Sequence, residues 1–413
     1  MTTQENFYGL NIAPILVEKI DKLGFKIPTP IQRKAIPIGI EGKDIIGIAQ
    51  TGTGKTLAFC IPMLQRLAQK KGKGLVLVPT RELAGQVNEV FIKFAPALNM
   101  KTCVLIGGAP MGPQMANLRR NPRVIIATPG RLLDHMMQKR VRLDDACVVV
   151  LDEADRMLDM GFAPQIEQVL KTVPKDRQTM LFSATMPSKI IAMVQTHMHL
   201  PVRTEIVPSG TAAENISQEM FVVKRDLKDR LLLKILEQYS GAVLLFTRTK
   251  MGAGKVRQFL KKSNHSAAEI HSDRSLRQRT EALDGFKSGR YRILVATDIA
   301  ARGIDVKGIE LVINYDLPED PENYVHRIGR TGRAGQEGHA ISIATPEQGS
   351  DVRNIEKLIK TSISLSDHPE IPTEKLSSSG TTSFRRRSGS FQRGGRSGGG
   401  GRYPSSARRV RRG

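Results

Sequence analysis

A glycine-rich segment, AQTGTGKT at residues 49–56, has the composition of a phosphate-binding loop. It follows an apolar run and precedes a stretch with helical spacing, and this strand, loop and helix order is the context that such a loop requires. Its glycines let backbone N–H groups approach phosphate oxygens. Lys55 would reach the β and γ phosphates, and the Thr56 hydroxyl would join a Mg²⁺ shell. The alternative is a glycine-rich turn without this role.

A second chemical element is the acidic turn LDEAD, in which the apolar run Cys147–Leu151 leads into Asp152 and Glu153. Asp152 would hold a metal ion through water, and Glu153 would orient and deprotonate an attacking water molecule. An acidic turn alone is as often only solvated. Together with the phosphate loop at one sheet edge, it predicts a hydrolytic site.

The elements that would position these residues are short apolar runs, which predict strands buried on both faces of a parallel sheet. Because ligands bind at the carboxyl ends of such strands, the loop and the acidic turn would open onto one edge. The first half of the chain therefore predicts a doubly wound α/β fold. The strands expected there are Ile45–Ile48, Leu75–Val78, Val124–Ala127, Cys147–Leu151 and Thr179–Phe182.

A polar segment between Pro201 and Ser217 interrupts this rhythm and is interpreted as an interdomain linker. The α/β rhythm then resumes, so two similar blocks lie in series, without a residue-level repeat between them. The second-block strands are expected at Ala242–Phe246, Ala267–His271, Arg292–Ala296, Leu311–Asn314 and Ala340–Ile343. The predicted boundaries are 1–205 for the first domain, 206–216 for the linker, 217–376 for the second domain and 377–413 for a tail.

The charge is unevenly distributed: 63 Lys and Arg against 40 Asp and Glu give +23, and ten Arg lie in the tail. The preceding 376 residues therefore carry +13. This balance attracts polyanions, and nucleic acid, an anionic membrane and acidic protein tails are all candidates. The tail contains Ser, Gly and Arg with few apolar residues, so it is predicted to be disordered alone.

Several classes of protein are disfavoured. No apolar run reaches the roughly 18–20 residues that span a bilayer, and the N-terminus MTTQENF does not resemble a secretory signal. The three cysteines, Cys60, Cys103 and Cys147, show no CxxC spacing, which argues against a disulfide framework or a zinc site. A reducing cytoplasm is the expected location.

The motifs resemble, in order, those of the DEAD-box ATP-dependent RNA helicases of helicase superfamily 2, over about Phe7 to Ala344. The resemblance implies two RecA-like domains in tandem, and the short length and Arg-rich tail are similar to bacterial members of the RhlE-like subgroup. The matching segments are GFKIPTPIQ (24–32), AQTGTGKT, PTRELA (79–84), Gly107 with Gly108, TPGR (128–131), DEAD (152–155), SAT (183–185), ATDIAARGID (296–305) and HRIGRTGR (326–333).

For the nucleotide, the resemblance implies ATP with Mg²⁺. Gln32 would recognise the adenine edge, with Phe7 as an upstream aromatic contact, although packing in the core is an equally good explanation for Phe7. Asp305 would contact the ribose, and Thr56 and Asp152 would serve the metal. The implied nucleotide-binding residues are Phe7, Gln32, Ala49, Gln50, Thr51, Gly52, Thr53, Gly54, Lys55, Thr56 and Asp305.

Catalysis would also need the second block. Arg330 and Arg333 are implied as arginine fingers on the γ-phosphoryl group, which makes activity depend on domain closure. The alternative is a solvated arginine-rich face. Ser183 and Thr185, with His326, would couple the ATP and RNA sites, although a Ser/Thr pair after a strand is also typical of a turn or cap. The implied catalytic residues are Lys55, Asp152, Glu153, Arg330 and Arg333.

The same resemblance implies RNA-backbone contacts with low sequence specificity. One block departs from the family pattern: His271 is followed by Ser272 instead of Gly, and Leu276 stands where Gln is usual, which puts that contact in doubt. The implied RNA-binding residues are Arg81, Gly107, Gly108, Thr128, Gly130, Arg131, Thr247, Arg248, Arg279, Thr297 and Arg302.

The expected activity is local, non-processive unwinding of short RNA duplexes and remodelling of RNA–protein complexes, driven by ATP. One alternative is an ATP-gated RNA clamp or scaffold; another, less favoured, is a DNA-directed helicase. Single-stranded RNA and short duplexes are the expected partners, with proteins of ribosome assembly or RNA degradation as candidates and no membrane. The tail would tether RNA with little sequence preference.

Overall fold

The structure is a computed structural model, which describes residues 6–49, 52–206, 216–301, 306, 308–332 and 337–377, except for the side chain of residue 299. Five of the predicted site residues lie outside the described residues: Gln50, Thr51, Arg302, Asp305 and Arg333. The interior of the predicted linker and the predicted tail after Ser377 lie outside them as well.

The first domain is the unit built on the first of two seven-stranded sheets. Its central strands are short apolar runs, buried along their length, as expected of a parallel sheet covered on both faces. Its strands are β1 (Ile45–Ile48), β2 (Lys73–Leu77), β3 (Thr102–Leu105), β4 (Val124–Ala127), β5 (Ala146–Asp152), β6 (Gln178–Ser183) and β7 (Val202–Glu205). Its helices are α1 (Pro14–Lys22), α2 (Pro30–Ile40), α3 (Lys55–Gln69), α4 (Arg81–Phe94), α5 (Met111–Arg119), α6 (Pro129–Met137), α7 (Ala154–Asp159), α8 (Ala163–Leu170) and α9 (Ser188–His197).

The second domain is built on the second sheet in the same way. Its strands are β8 (Ile216–Val222), β9 (Ala242–Phe246), β10 (Ala267–Ile270), β11 (Ile293–Ala296), β12 (Ile309–Asn314), β13 (Gly338–Ala344) and β14 (Ser364–Leu365). Its helices are α10 (Lys228–Gln238), α11 (Lys250–Lys262), α12 (Leu276–Lys287), α13 (Asp298–Ala301), α14 (Pro321–Ile328) and α15 (Gly349–Ile359).

Both sheets are parallel and have one strand order. The first runs β3-β4-β2-β5-β6-β1-β7 and the second β10-β11-β9-β12-β13-β8-β14, so each strand of the second sheet takes the place of the strand seven earlier. Apolar clusters lie on the two faces of each sheet. The predicted doubly wound α/β fold with two domains is confirmed, and the internal repeat that is invisible in the residues is present in the topology.

The pairing registers give residue-level counterparts. The N–H of Ala49 donates to Ser183 O, and the N–H of Val223 donates to Ala344 O at the equivalent place. Leu151 on β5 pairs with Leu77, whereas Asn314 on β12 pairs with Phe246. Because Leu151 and Asn314 correspond, Asp152 and Glu153 correspond to Tyr315 and Asp316.

The predicted linker is shorter at both ends than the polar segment suggested. Residues 202–205 form β7, and the N–H of Ile206 still donates to Ile48 O. At the other end Ile216 begins β8. The polar composition of the segment concealed the edge strand β7, whose exposed face does not need apolar residues, and the start of β8, which lies between β13 and β14.

The chain remains attached to the second domain as far as Ser377. β14 pairs with β8, the N–H of Glu374 donates to Val222 O, and the N–H of Ser377 donates to Pro346 O.

Among the described residues, no helix has the length and apolar character needed to cross a membrane.

Candidate active site

The phosphate loop joins β1 to α3 and depends on two glycines in the left-handed region. Gly52 has φ +87° and Gly54 has φ +89°. Gly54 caps the N-terminus of α3, and a Cβ there would collide with the side-chain amide of Gln32. The helix N-terminus therefore stays open to an anion, where its N–H groups and dipole favour negative charge.

Lys55 is the first residue of α3, and its ammonium group is held inside the loop. Its side chain is buried, and Nζ donates to Ala49 O at 2.8 Å. Thr56 follows in the same helical turn. The two residues therefore lie where the sequence predicts a phosphate contact and a hydroxyl for the metal shell.

Gln32 connects α2 to the phosphate loop. Its Oε1 accepts from the N–H of Thr29 at 2.9 Å, and its Nε2 donates to Gly54 O at 3.0 Å. An amide has two acceptor lone pairs and two N–H donors, so one of each is left over. That pair complements the donor and acceptor that adenine presents at N6 and N7.

Phe7 lies in the core. Its ring is 2% exposed and belongs to the same apolar cluster as Leu10 and Leu16. The packing explanation offered for this residue describes the structure well, and a direct contact with adenine stays a prediction.

The acidic turn at the end of β5 is buried and strained. Asp152 and Glu153 are both almost fully buried, and Glu153 has φ +53°, a left-handed conformation uncommon for a residue with a Cβ. The N–H of Glu153 donates to Asp152 Oδ1 at 3.0 Å. Strain of this kind persists where the surroundings impose it, and it is often associated with functional sites.

The two carboxyl groups titrate differently. Burial raises the pKa of Asp152, against the opposing positive charge of Lys55 and with support from the negative charge of Glu153. Burial also disfavours the charged form of Glu153, but Arg156, Lys55 and Arg330 together outweigh it and lower the pKa of that carboxyl. Mg²⁺ takes oxygen ligands, and Asp152 and Thr56 supply a carboxyl and a hydroxyl oxygen, so these two residues fit the metal role.

Arg156 was not predicted as a site residue. It is almost fully buried on α7, and its Nη1 donates to Glu153 Oε2 at 2.6 Å. Glu153 precedes α7 and Arg156 lies three residues later in its first turn, and this spacing is a sequence signal for such a pair. Because the pair keeps Glu153 ionised and weakly basic, Glu153 is better suited to orient a water molecule than to hold its proton.

The segment SAT lies directly against the acidic turn. Asp155 Oδ2 accepts from the N–H groups of Ala184 and Thr185 at 3.0 and 2.9 Å and from Thr185 Oγ1 at 3.0 Å. Ser183 Oγ accepts from the N–H of Asp155 at 3.2 Å. Ser183 and Thr185 thus lie against the acidic turn, as a coupling role requires.

In the first domain, the predicted RNA contacts converge at one place. Arg81, at the start of α4, lies over Gly107 and Gly108, and a Cβ on Gly108 would collide with its guanidinium. Gly108 has φ +73°. Arg131 Nη1 donates to Ala109 O at 3.0 Å. Two arginines therefore flank one exposed stretch of backbone.

Helix N-termini add donors to this surface. Thr80 caps α4 by accepting from the N–H of Leu83, and Thr128 precedes α6, on whose first turn lies Gly130. A Cβ on Gly130 would meet nothing within 4 Å. The backbone there is open to a phosphate group, which helix N-termini favour.

The second domain repeats these positions. Thr247 follows β9 and is fully buried, whereas Arg248 has a side chain that is 41% exposed. Thr297 follows β11, and its N–H donates to Ile270 O, as that of Thr128 donates to Leu105 O. The three strand-end segments of each domain thus lie at equivalent places.

Arg279 makes a contact that the sequence did not predict. Its Nη2 donates to Glu82 Oε2 at 2.7 Å across the two domains, and both side chains are largely buried. An RNA contact by Arg279 stays a prediction. Nearby, Leu276 and Arg277 of α12 and Gly108 and Pro110 of the first domain line a cavity of about 680 Å³. Of the two departures from the family pattern, Leu276 thus lines the domain junction.

Arg330 follows α14 and is buried, with Nε donating to the carbonyl of His326 at 3.2 Å. Its positive charge helps to lower the pKa of Glu153 in the other domain. Arg327, missed from the sequence, is almost fully buried on α14 and forms a bidentate pair with Asp298 at 2.5 and 2.8 Å. The helix α14 is therefore fixed to its own domain, while Arg330 just after it acts on the acidic turn of the other domain.

Comparison with known proteins gives matches over both domains. Residues 29–194 match the DEAD/DEAH box helicase family, and residues 227–335 match the helicase conserved C-terminal domain. The chain is 42% identical over 376 residues to the ATP-dependent rRNA helicase RRP3 of Candida albicans, covering 90% of this chain and 70% of the relative.

Solved structures of DEAD-box proteins are also similar to this chain. The chain is similar to Saccharomyces cerevisiae Dbp5 bound to RNA and ADP BeF3, with 31% identity, a TM-score of 0.78, and coverage of 88% of this chain and 95% of that one. A DEAD box protein from Methanococcus jannaschii shares 36% identity over 88% and 99%, yet scores 0.52. The RecA-like prediction is confirmed, and the TM-score is higher for the RNA-bound structure.

Proposed function

The chain belongs to the DEAD-box family of ATP-dependent RNA helicases, and on this premise we propose that it separates short RNA duplexes locally, without processive movement, and remodels RNA–protein complexes. As a member it is an ATP-hydrolysing enzyme that binds nucleotide and RNA. One observation carries the proposal: the strand-end segments of both domains form equivalent surfaces, and Glu82 and Arg279 join the domains beside them.

Hydrolysis would be assembled from both domains. Lys55 and the N-terminus of α3 would bind the phosphates, and Glu153, kept ionised by Arg156, would orient the attacking water. Arg330 would enter from the second domain and stabilise the charge that develops on the γ-phosphoryl group. Mg²⁺, held through Asp152 and Thr56, would supply charge neutralisation between the phosphates.

Closure would couple this chemistry to RNA. On closure ATP would gain the contact with Arg330, and RNA would gain the second set of strand-end segments, so each ligand would bind the closed arrangement better than the open one. Two ligands that favour one state favour each other's binding. A strand bound across both domains would be bent, and a bent strand is incompatible with its complement. Hydrolysis would then reopen the protein.

The substrate and partners are inferred from the chemistry of the RNA-side surfaces and from the name of a relative. The surfaces contain arginines and backbone donors that suit phosphates, so we expect little sequence preference. The name of the RRP3 relative refers to rRNA, which supports ribosomal RNA and ribosome-assembly proteins as candidates for this chain. Proteins of RNA degradation, a cytoplasmic location and the RhlE-like subgroup stay predictions.

A strand-displacement assay tests the proposal. A labelled RNA duplex of about ten base pairs with a single-stranded extension should separate with ATP and Mg²⁺, and a duplex three times longer should not. Strand release with a non-hydrolysable ATP analogue would show that closure is sufficient for opening. RNA binding without any release would instead support the ATP-gated clamp, and equal ATPase stimulation by DNA would support a DNA-directed enzyme.

A further inference from the structure

A buried lysine and a carboxylate in the second domain occupy positions that mirror the catalytic ones. Lys228 is the first residue of α10, as Lys55 is of α3. Asp316 is the register counterpart of Glu153. Lys228 Nζ donates to Tyr315 O at 2.6 Å and to Asp316 Oδ1 at 3.1 Å. The second domain has thus kept an ammonium–carboxylate pair where the first domain would bind phosphate.

This pair has no phosphate to serve. The segment from Val223 to Leu227, between β8 and α10, is VKRDL and contains no glycine. The ammonium of Lys228 is buried and already satisfied by the chain, since only 5% of its side chain is exposed. The role of the pair therefore depends on the other contacts of Asp316.

Asp316 holds one of the predicted RNA-contacting segments. Its second oxygen, Oδ2, accepts from the backbone N–H of Arg248 at 3.1 Å. The guanidinium of Arg248 also donates to Leu317 O, next to Asp316, at 3.3 Å. The loop after β9 is thus fixed to the loop after β12, and Lys228 holds the carboxylate in the orientation that this requires.

The same residue is bonded to the helix that precedes the finger. Arg327 Nη1 donates to the carbonyl oxygen of Asp316 at 2.5 Å, while its other nitrogens bind Asp298, beside Thr297. Arg327 lies on α14, three residues before Arg330. Asp316 therefore contacts the RNA-side loop through its carboxylate and the finger helix through its carbonyl.

We propose that Asp316 is a positioning residue that ties the RNA-contacting segment Thr247–Arg248 to the placement of Arg330. A strand that fixes Arg248 restrains Asp316, and Asp316 restrains α14 through Arg327. RNA bound at this segment would then favour the position of Arg330 that hydrolysis needs. This inference rests on the proposed roles of Arg248 and Arg330, and it adds the connection between them.

The test compares Asp316→Ala with Asp229→Asn in the full-length protein. Asp229 accepts from the hydroxyl of the neighbouring Tyr315 at 2.8 Å but contacts neither the RNA-side loop nor α14, so it is a matched structural control. ATPase rates are measured against the concentration of a poly(U) oligonucleotide. We expect Asp316→Ala to lower the maximal rate at saturating RNA about tenfold. Its affinity for a fluorescent ATP analogue without RNA should match that of the Asp229→Asn control.

A double mutant separates coupling from general damage. If Asp316 acts through Arg330, then adding Asp316→Ala to Arg330→Ala should lower the maximal rate no further. Asp316→Asn keeps an acceptor for Arg248 and should fall between wild type and Asp316→Ala, which also serves if the alanine variant folds poorly. The inference would be overturned if Asp316→Ala kept the wild-type maximal ATPase rate. It would also be overturned if the double mutant lost rate by the product of the two single losses. Absent RNA stimulation in the wild-type protein would instead reject the proposed function.

Discussion

In the first domain the segment between β1 and α3 turns through two left-handed glycines, whereas the counterpart between β8 and α10 contains none. Lys55 donates to a loop carbonyl and stays beside the open helix end, but Lys228 is committed to Tyr315 and Asp316. The same topology thus supports an open anion site in one domain and, in the other, a lysine that is bonded within the protein. The glycines, more than the lysine, determine which of the two forms.

The segments that follow β2 and β9 show a closer repeat. Thr80 and Thr249 each accept from the N–H three residues later and cap α4 and α11. At the next position, Arg81 lies over Gly107 and Gly108, whereas Lys250 pairs with Asp273 at 2.9 Å. The first domain leaves its backbone and its arginine available to phosphates. The second domain neutralises Lys250 with a carboxylate from the loop after β10.

This difference implies a division of labour. The first domain would hold nucleotide and RNA by itself, although weakly, whereas the second would contribute Arg330 and complete both surfaces on closure. Substitutions that affect the second domain should therefore change turnover more than nucleotide affinity. The following experiments test that division, beginning with the largest expected effect.

Arg330→Ala should lower the maximal ATPase rate by roughly 10³- to 10⁵-fold, the effect of removing an arginine finger in other NTPases. Nucleotide affinity without RNA should change little, because the phosphate loop of the first domain would hold ATP in the open arrangement by itself. Arg353→Ala, which removes an exposed arginine from α15, is the control. A normal rate for Arg330→Ala would reject the contribution of the second domain to hydrolysis.

Glu153→Gln should reduce hydrolysis by roughly 10²- to 10⁴-fold, because an amide orients the attacking water less well than the carboxylate does. RNA and ATP should still bind, since closure does not need the carboxylate. Single-turnover hydrolysis and RNA binding with ATP measure the two properties in one preparation. Unimpaired hydrolysis would remove Glu153 from its assigned role.

Gly108→Ala should weaken RNA binding about tenfold, because its Cβ would displace the Arg81 guanidinium. The matched control is Gly161→Ala: Gly161 has φ +78°, similar to +73° for Gly108, but a Cβ there meets nothing within 4 Å. Both variants should lose about 1–2 kcal/mol of stability from backbone strain. Equal RNA affinities in the two variants would contradict the role of Arg81.

Deleting residues 378–413 should flatten the salt dependence of RNA binding, by about 0.7 in log–log slope for each RNA phosphate that the tail arginines neutralise in the full chain. The ATPase rate at saturating RNA should stay within about twofold, since both domains remain complete. A full-length chain with the ten tail arginines changed to glutamine separates charge from length. An unchanged slope in both proteins would leave the tail without a part in RNA binding.

Much of the fold was predictable because buried parallel strands need continuous apolar runs, and β1, β4 and β9 begin and end where those runs do. The strands that were missed lie toward the edges of the sheets. β7 has one buried residue among four, and β8 follows a polar segment. Edge strands can be half polar, so their composition is similar to that of loops.

The site was predictable where function needs a local motif, and less so where it needs a contact between distant residues. Lys55, Asp152 and Glu153 lie as expected, but Arg327 and Asp316 become important only when α14 packs against the ends of β9, β11 and β12. Arg279 was assigned to RNA, yet its nearest acceptor is Glu82, 197 residues away. Sequence spacing contains no information on such pairs.

The bond from Gln32 to the phosphate loop has a consequence for substrate discrimination. Guanine offers two acceptors where adenine offers a donor and an acceptor, so Gln32 could satisfy guanine only by turning its amide and releasing Gly54 O. The wrong base would then disturb the loop that sets Lys55. We therefore expect GTP, even at saturation, to show a reduced kcat and not only a raised KM, whereas equal kcat values would place all discrimination in binding.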